Sequence, residues 1–212
     1  MLEPFLDADR HRWSWYGEAL TGALQATTKL LAPDAHVAFA FPSGNHAMIE
    51  AICYGASVSG LALESYLFRP HRDARTTSEF GALRGDYRVV FHPISHAPSA
   101  TVSSVVGQRL RVTALDAAQD ILTERNEPLP FAWLYQRALA RVTEANLLTP
   151  LADLNLPAYD NPYQFLHREL TNGIKDGYAR DFDHWQKKWD DTRVVWFIRD
   201  HENAALPLYE RV

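Results

Sequence analysis

The hydrophobic pattern divides the chain into alternating amphipathic and wholly apolar runs. From Arg10 to Ala32, residues Trp13, Tyr16, Leu20, Leu24, Thr27 and Leu31 recur at steps of three and four. That is one stripe of an amphipathic helix, which Asp7 or Asp9 can cap and which Pro33 and Asp34 end. His36–Phe41 (HVAFAF) is a short apolar run, the pattern of a strand buried on both faces. Pro42-Ser43-Gly44-Asn45 reads as a turn, with Ser43 or Asn45 capping a helix over His46–Ser57. Leu61–Phe68 reads as a second strand, 69–85 as a long polar loop, and Asp86–His92 as a third strand. A strand–helix–strand unit implies a parallel right-handed crossover. The third strand follows a loop without a helix, so it can return antiparallel beside the second.

From Pro93 to Val106 the composition shifts to Ser, Ala, Pro, Thr and Val without periodicity, which reads as a linker or irregular arm. Helical patterns follow at about Thr113–Arg125, Phe131–Leu147 and Asn161–Lys175. An aromatic stretch (FDHWQKKW) and a final strand, Arg193–Arg199, close the pattern. The expected organisation is a partial Rossmann-like α/β layer over 1–107 and a small helical, winged-helix-like domain over 108–212.

Charge narrows the function classes. The net charge is -5 over 212 residues. Residues 1–107 hold 8 basic and 10 acidic side chains, and 108–212 hold 13 and 16. Both parts are acidic, which argues against a strongly basic nucleic-acid binder but leaves room for a local basic rim. One cysteine, Cys53, excludes an internal disulfide framework and reads as a buried small apolar residue. No run approaches 18 apolar residues, and the N-terminus lacks a signal-peptide core, so the expectation is a cytoplasmic protein without a membrane span.

The run Leu24–Ala56 resembles the fifth-strand region of Rossmann-type methyltransferases. There a helix ends in Leu-x-Pro-x-Gly before a strand, as Leu31-Ala32-Pro33-Asp34-Ala35-His36 does here, with Ala35 at the glycine position. On this resemblance Leu61–Phe68 is the sixth strand and Tyr87–His92 the antiparallel seventh. The chain as a whole is similar to the C-terminal part of large DNA-methylase-like proteins, including those of adenine-specific type. In those the sheet half is followed by a phrase like ERGEP.P…W…A…GLL. Here it is Glu124-Arg125-Asn126-Glu127-Pro128-Leu129-Pro130-Phe131, then Trp133 and Asn146-Leu147-Leu148.

The catalytic and cofactor motifs that the resemblance calls for are missing. Amino-methyltransferases need an Asp/Asn-Pro-Pro-aromatic turn to hold the target amine and stack on the flipped base. The nearest string, Asp160-Asn161-Pro162-Tyr163, has one proline and opens a predicted helix. Pro162 at the first helical position, capped by Asp160 or Asn161, accounts for it. The cofactor turn is glycine-rich in such folds, whereas Phe41-Pro42-Ser43-Gly44-Asn45-His46 carries one glycine. A permuted order would put Gly44 and Glu64, about 20 residues on, at S-adenosylmethionine.

Arg69, Arg72 and Arg75, with Arg84, cluster in or beside the 69–85 loop and could grip phosphates, although Asp73, Glu79 and Asp86 interleave with them. Trp185, Trp189 and Trp196 read as core packing, with base stacking as the alternative, in which Lys187 and Lys188, the adjacent basic pair, would contact nucleic acid. His92, His96 and His71 could meet at a zinc ion, but Pro93 argues against the helix that would align His92 with His96, and ordinary loop histidines are the reading. Trp13 and Trp15 point to different sides of their helix, one toward the core and one toward an interface.

Three functions follow. The first is a non-catalytic C-terminal portion or subunit of a DNA-methyltransferase-like system, without cofactor in the isolated chain, which supplies substrate-side and nucleic-acid-facing surfaces. A partner chain or further copy would complete its sheet. The second is an active S-adenosylmethionine-dependent methyltransferase of permuted order. The third is a structural or interaction protein with no cofactor.

Overall fold

The structure, a computed structural model, describes residues 3–70, 81–94, 103–154, 156, 161–180, 182–186 and 194–198. The described residues form a mixed α/β chain with five α-helices and two three-stranded antiparallel sheets. Helix α1 (Glu3–Thr28) leads to strand β1 (Val37–Asn45), helix α2 (His46–Val58), strand β2 (Leu61–Pro70) and strand β3 (Gly81–Pro93). The second half holds α3 (Ser103–Arg125), β4 (Leu129–Pro130), α4 (Phe131–Glu144), a 3-10 turn (Thr149–Asp153), α5 (Pro162–Arg180), β5 (Phe182–Gln186) and β6 (Val194–Ile198).

In the first sheet β3 lies between β1 and β2 and is antiparallel to both. Strands β1 and β2 therefore run parallel to each other, joined by α2, but share no hydrogen bond. The expected antiparallel return of the third strand beside the second is present. The expected turn at Pro42–Asn45 is not. Those residues continue β1, with an irregularity at Ser43/Asn45, and α2 starts at the next residue.

Alternation along the strands puts one face against α2. Tyr87, Val89, Phe91, Leu61 and Leu63 are buried beside Ile49, Ile52, Cys53 and Ala56. Phe41 stacks on Tyr87 at 5.5 Å, and Phe39 meets Phe91 edge-on at 6.1 Å. Along Val37–Pro42 of β1, Val37, Phe39 and Phe41 turn inward, while Ala38, Ala40 and Pro42 are exposed. Burial of β1 on both faces is thus corrected, because no described helix covers the second face. Helix α1 packs on α2 through Leu24 and Thr21, with Gly55 admitting the Thr21 side chain.

In the second half, α3 starts at Ser103 and takes in residues read as a linker. Val106, Leu110, Ala114, Ala117 and Ala118 form a buried stripe on it, and this packing outweighs the weak helix preference of Ser103, Ser104 and Val105. Position 107 falls inside α3, and one buried cluster runs without a break from Ile49, Cys53 and Tyr87 to α3, α4 and α5. The aromatic stretch supplies β5, which pairs with β6, and β6 pairs with β4.

Among the described residues, Asn126 and Asn146 are the non-glycine ones with positive φ, at 49° and 53°. Asn146 ends α4 in a Schellman turn. Its N–H donates to the Thr143 carbonyl, and the Leu147 N–H donates to the Val142 carbonyl at 3.0 Å. Asparagine tolerates this region better than other side chains, and glycine better still. Asn146→Ala is expected to cost about 1 kcal/mol and Asn146→Gly close to nothing. Urea unfolding midpoints check the pair. Equal losses in both would mean the side-chain contact to Thr149 (2.7 Å), not the backbone, is what matters.

Candidate functional site

The uncovered face of the first sheet follows from the alternation. The residues paired across it are Ala38 with Val90, Ala40 with Arg88, Ser65 with Val90, Leu67 with Arg88, and Arg69 with Asp86. Leu67 is 59% exposed. Among the described residues β1 pairs with β3 alone, so its outer edge is open over nine residues. No charged side chain lies between Val37 and Asn45 to discourage another strand, and Pro42 is the one blunting residue.

The sequence-predicted ligands do not gather here. Gly44 lies at the carboxyl end of β1, opposite the start of β3. Glu64 sits at the other end of the sheet, where its carboxylate accepts from His36 Nε2 at 2.9 Å, both half-exposed. His36 and Gly44 are separated by roughly 25 Å of extended chain, so the structure does not bring Gly44 and Glu64 to one cofactor. Arg69 is exposed on β2. Arg72, Arg75, Lys187 and Lys188 lie outside the described residues, as do His71, His96 and Trp189. Asn161 Oδ1 accepts the Gln164 N–H at 2.9 Å, so Asn161 is the helix cap and Tyr163 packs on Tyr54 and against Gly17. Trp15 of α1 is 69% exposed, and the side chain of Trp13 lies outside the described residues.

Two buried carboxylates went unnoticed in the sequence. Glu50 of α2 is 3% exposed. It accepts hydrogen bonds from the Tyr135 hydroxyl of α4 and from His167 Nδ1 of α5, the latter at 2.9 Å. His46 packs its ring on Tyr135 at 4.5 Å. Burial alone would raise the Glu50 pKa. The hydrogen bond and charge of His167, the Tyr135 hydroxyl and the charge of His46 together hold it below the ordinary value. This cluster ties the first half to the second across α2, α4 and α5. Its one advance signal was a lone acid in the apolar run HAMIEAICYGAS.

Glu169 of α5 is 5% exposed. Arg111 of α3 donates to it through Nε at 2.5 Å and Arg168 through Nε at 3.1 Å. Gly107 makes room for the carboxylate, since a Cβ there would stand 3.2 Å from its Oε2. Both arginines reach solvent, at 43% and 48% exposure.

Cys53 is wholly buried, and burial pushes its thiol up to about 12. It is expected to resist an aromatic disulfide reagent in the folded state and to react fully in urea. Rapid native labelling would contradict the packing of α2 against the sheet. Among the described residues no three His, Cys, Asp or Glu side chains gather as a metal site, and no helix is long and apolar enough to cross a membrane.

Comparison with protein-family models, with curated proteins and with solved structures finds no match to this chain.

Proposed function

We propose that this chain is a non-catalytic portion or subunit of a DNA-methyltransferase-like system, which docks on a partner that completes its sheet. The observation that carries the reading is the edge of β1 and the adjoining sheet face, both left open among the described residues. A nine-residue edge presents roughly 300 Å², and a face three strands wide roughly 400 Å². Together they approach the ~800 Å² per partner of a standard interface, which the edge alone does not. A second copy paired antiparallel at β1 would place both sets of helices on one face and leave the other bare. A partner that supplies a strand and a helical layer covers both.

Three further features support it. Strand β3 runs antiparallel to two parallel strands, in keeping with its place as the seventh strand of the resemblance. Asn126 and Asn146 take positive φ where the resembled phrase has glycine. The order α3, β4, α4, α5, β5, β6, with strands arranged β4-β6-β5, supports the winged-helix-like reading of the second half. The permuted-enzyme reading needs Gly44 and Glu64 together, and they lie at opposite ends of the sheet.

Calorimetry with S-adenosylmethionine tests the first half of the reading. The isolated chain is expected to give no binding heat. Micromolar binding lost in Glu64→Ala would make it an enzyme in its own right. Sedimentation tests the second half. In the absence of its partner the isolated chain is expected to show only weak, concentration-dependent association through the bare edge, which Ala40→Lys removes at an unchanged unfolding midpoint. A strict monomer at high concentration would remove the main support. Stable self-assembly with neither cofactor nor nucleic acid bound would favour the purely structural role.

A further inference from the structure

We propose that the exposed face of α5, with Arg111 of α3, is a contact surface for the phosphodiester backbone of a nucleic acid. The proposal rests on the DNA-methyltransferase-like reading above, in which the winged-helix-like second half would face nucleic acid. It uses no residue of the β1 edge, so assembly and nucleic-acid binding can fail separately.

The chain as a whole is acidic, but α5 is not. Its cations are Arg168, Lys175 and Arg180, and its acids are Glu169 and Asp176. Glu169 is buried, so three cations and one carboxylate, Asp176, face solvent on this helix. Arg111 joins them from α3 through the shared Glu169 carboxylate. Asp176 also acts on Arg111 and opposes an anion here.

The placement of these cations is fixed from beneath. Glu169 grips Arg111 and Arg168 by their Nε atoms, and Glu50 holds His167 by Nδ1. Arg168 also lies over the Phe165 ring at 5.2 Å. Long basic side chains lose rotamer freedom when they bind an anion, and side chains already held lose less. Two guanidinium groups on one buried carboxylate suit a phosphate oxygen, which arginine binds with directional N–H groups. Gln164, Arg168, Asn172 and Lys175 recur at steps of four, four and three, so they line one side of the helix. Gln164 and Asn172 add polar groups of the kind that bond phosphates and sugars.

A lipid surface fits less well. The exposed positions of α5 are His167, Arg168, Lys175, Asp176, Ala179 and Arg180, with no large apolar side chain to enter a bilayer.

Fluorescence anisotropy with a labelled DNA duplex of about 20 base pairs tests the proposal. Binding in the micromolar range at low salt, falling as salt rises, is the expected result. Lys175→Glu lies on an exposed position and is expected to weaken binding about tenfold and to lower the salt slope by about 1. The double variant Arg168→Gln/Glu169→Gln removes a cation together with the acid beneath it at unchanged net charge, and is expected to weaken binding by a smaller factor, about threefold, through the lost Arg168 contact and the freed Arg111 side chain. No duplex binding at low salt overturns the proposal. So does binding whose affinity and salt slope neither variant changes, or sedimentation with phosphatidylserine vesicles in the absence of duplex binding.

Discussion

Replacing His167 by alanine is expected to lower the unfolding free energy by about 2 kcal/mol at neutral pH. The loss arises at Glu50, not at the surface where His167 emerges. A buried carboxylate that loses its partner is left as an uncompensated charge, which costs about 3–5 kcal/mol in a sealed interior. His167 is 46% exposed, so water can replace part of its contact, and the smaller figure applies. Tyr135 continues to donate to the carboxylate in the variant.

The pH dependence separates this account from simple loss of packing. In the native chain the Glu50 carboxyl sits below its ordinary value. Its contribution is present above the ordinary carboxylate range and is lost as pH falls through the folded value. In His167→Ala, burial dominates and the carboxyl is relieved by taking up a proton. The two proteins are therefore expected to converge in stability as the solution is acidified. Adding Glu50→Gln to His167→Ala should recover more than half of the loss, a coupling that a double-mutant cycle measures. Additive effects that are flat in pH would show that Glu50 is not the origin.

Gly173→Ala is expected to cost about 3 kcal/mol although alanine is the better helix former by about 1. A Cβ at this position would stand 2.5 Å from the Arg111 carbonyl oxygen and 2.7 Å from its Cα. The obstacle is backbone, so no side-chain rotation relieves it, and α3 must move off α5. Gly177 is the useful contrast. Its Cβ would meet the ends of the Leu115 and Phe182 side chains, which can shift. Gly177→Ala is expected to cost less. Urea unfolding of both variants checks the order. A neutral Gly173→Ala would mean that the helices are not in backbone contact there. Moving α3 also displaces Arg111 from Glu169, so this variant should weaken duplex binding as well.

The strands and helices of the first half were legible because each of their patterns is local. Strand β1 shows the limit of that reading. HVAFAF carries small apolar Ala38 and Ala40, not charged residues, at its outward positions, so its pattern reads as readily as a strand covered twice as one covered once. The start of α3 was hidden for a different reason. Ser103, Ser104 and Val105 carry little helical preference, and the contacts that hold Val106 and Leu110 come from other helices. Glu50 and His167 are 117 residues apart, and Glu169 and Arg111 are 58 apart. No spacing rule relates groups at such distances. The cap at Asn161 was legible, since an Asn before Pro at a helix start is a local matter of backbone donors.

The middle place of β3 sets the order in which this sheet can be made. Val37 of β1 pairs with Phe91, and Leu61 of β2 pairs with Pro93, so the starts of the two earlier strands meet their only described neighbour at its far end. On a ribosome, β1, α2 and β2 are all synthesised before any strand hydrogen bond of this sheet can form. Pairing can begin at Gly81–Gly85, opposite Asn45 and Pro70, but until Pro93 has emerged the nascent chain carries two incompletely paired apolar strands, a state prone to misassociation. Synthesis of this half therefore passes through a vulnerable interval whose length is set by the chain between Leu61 and Pro93.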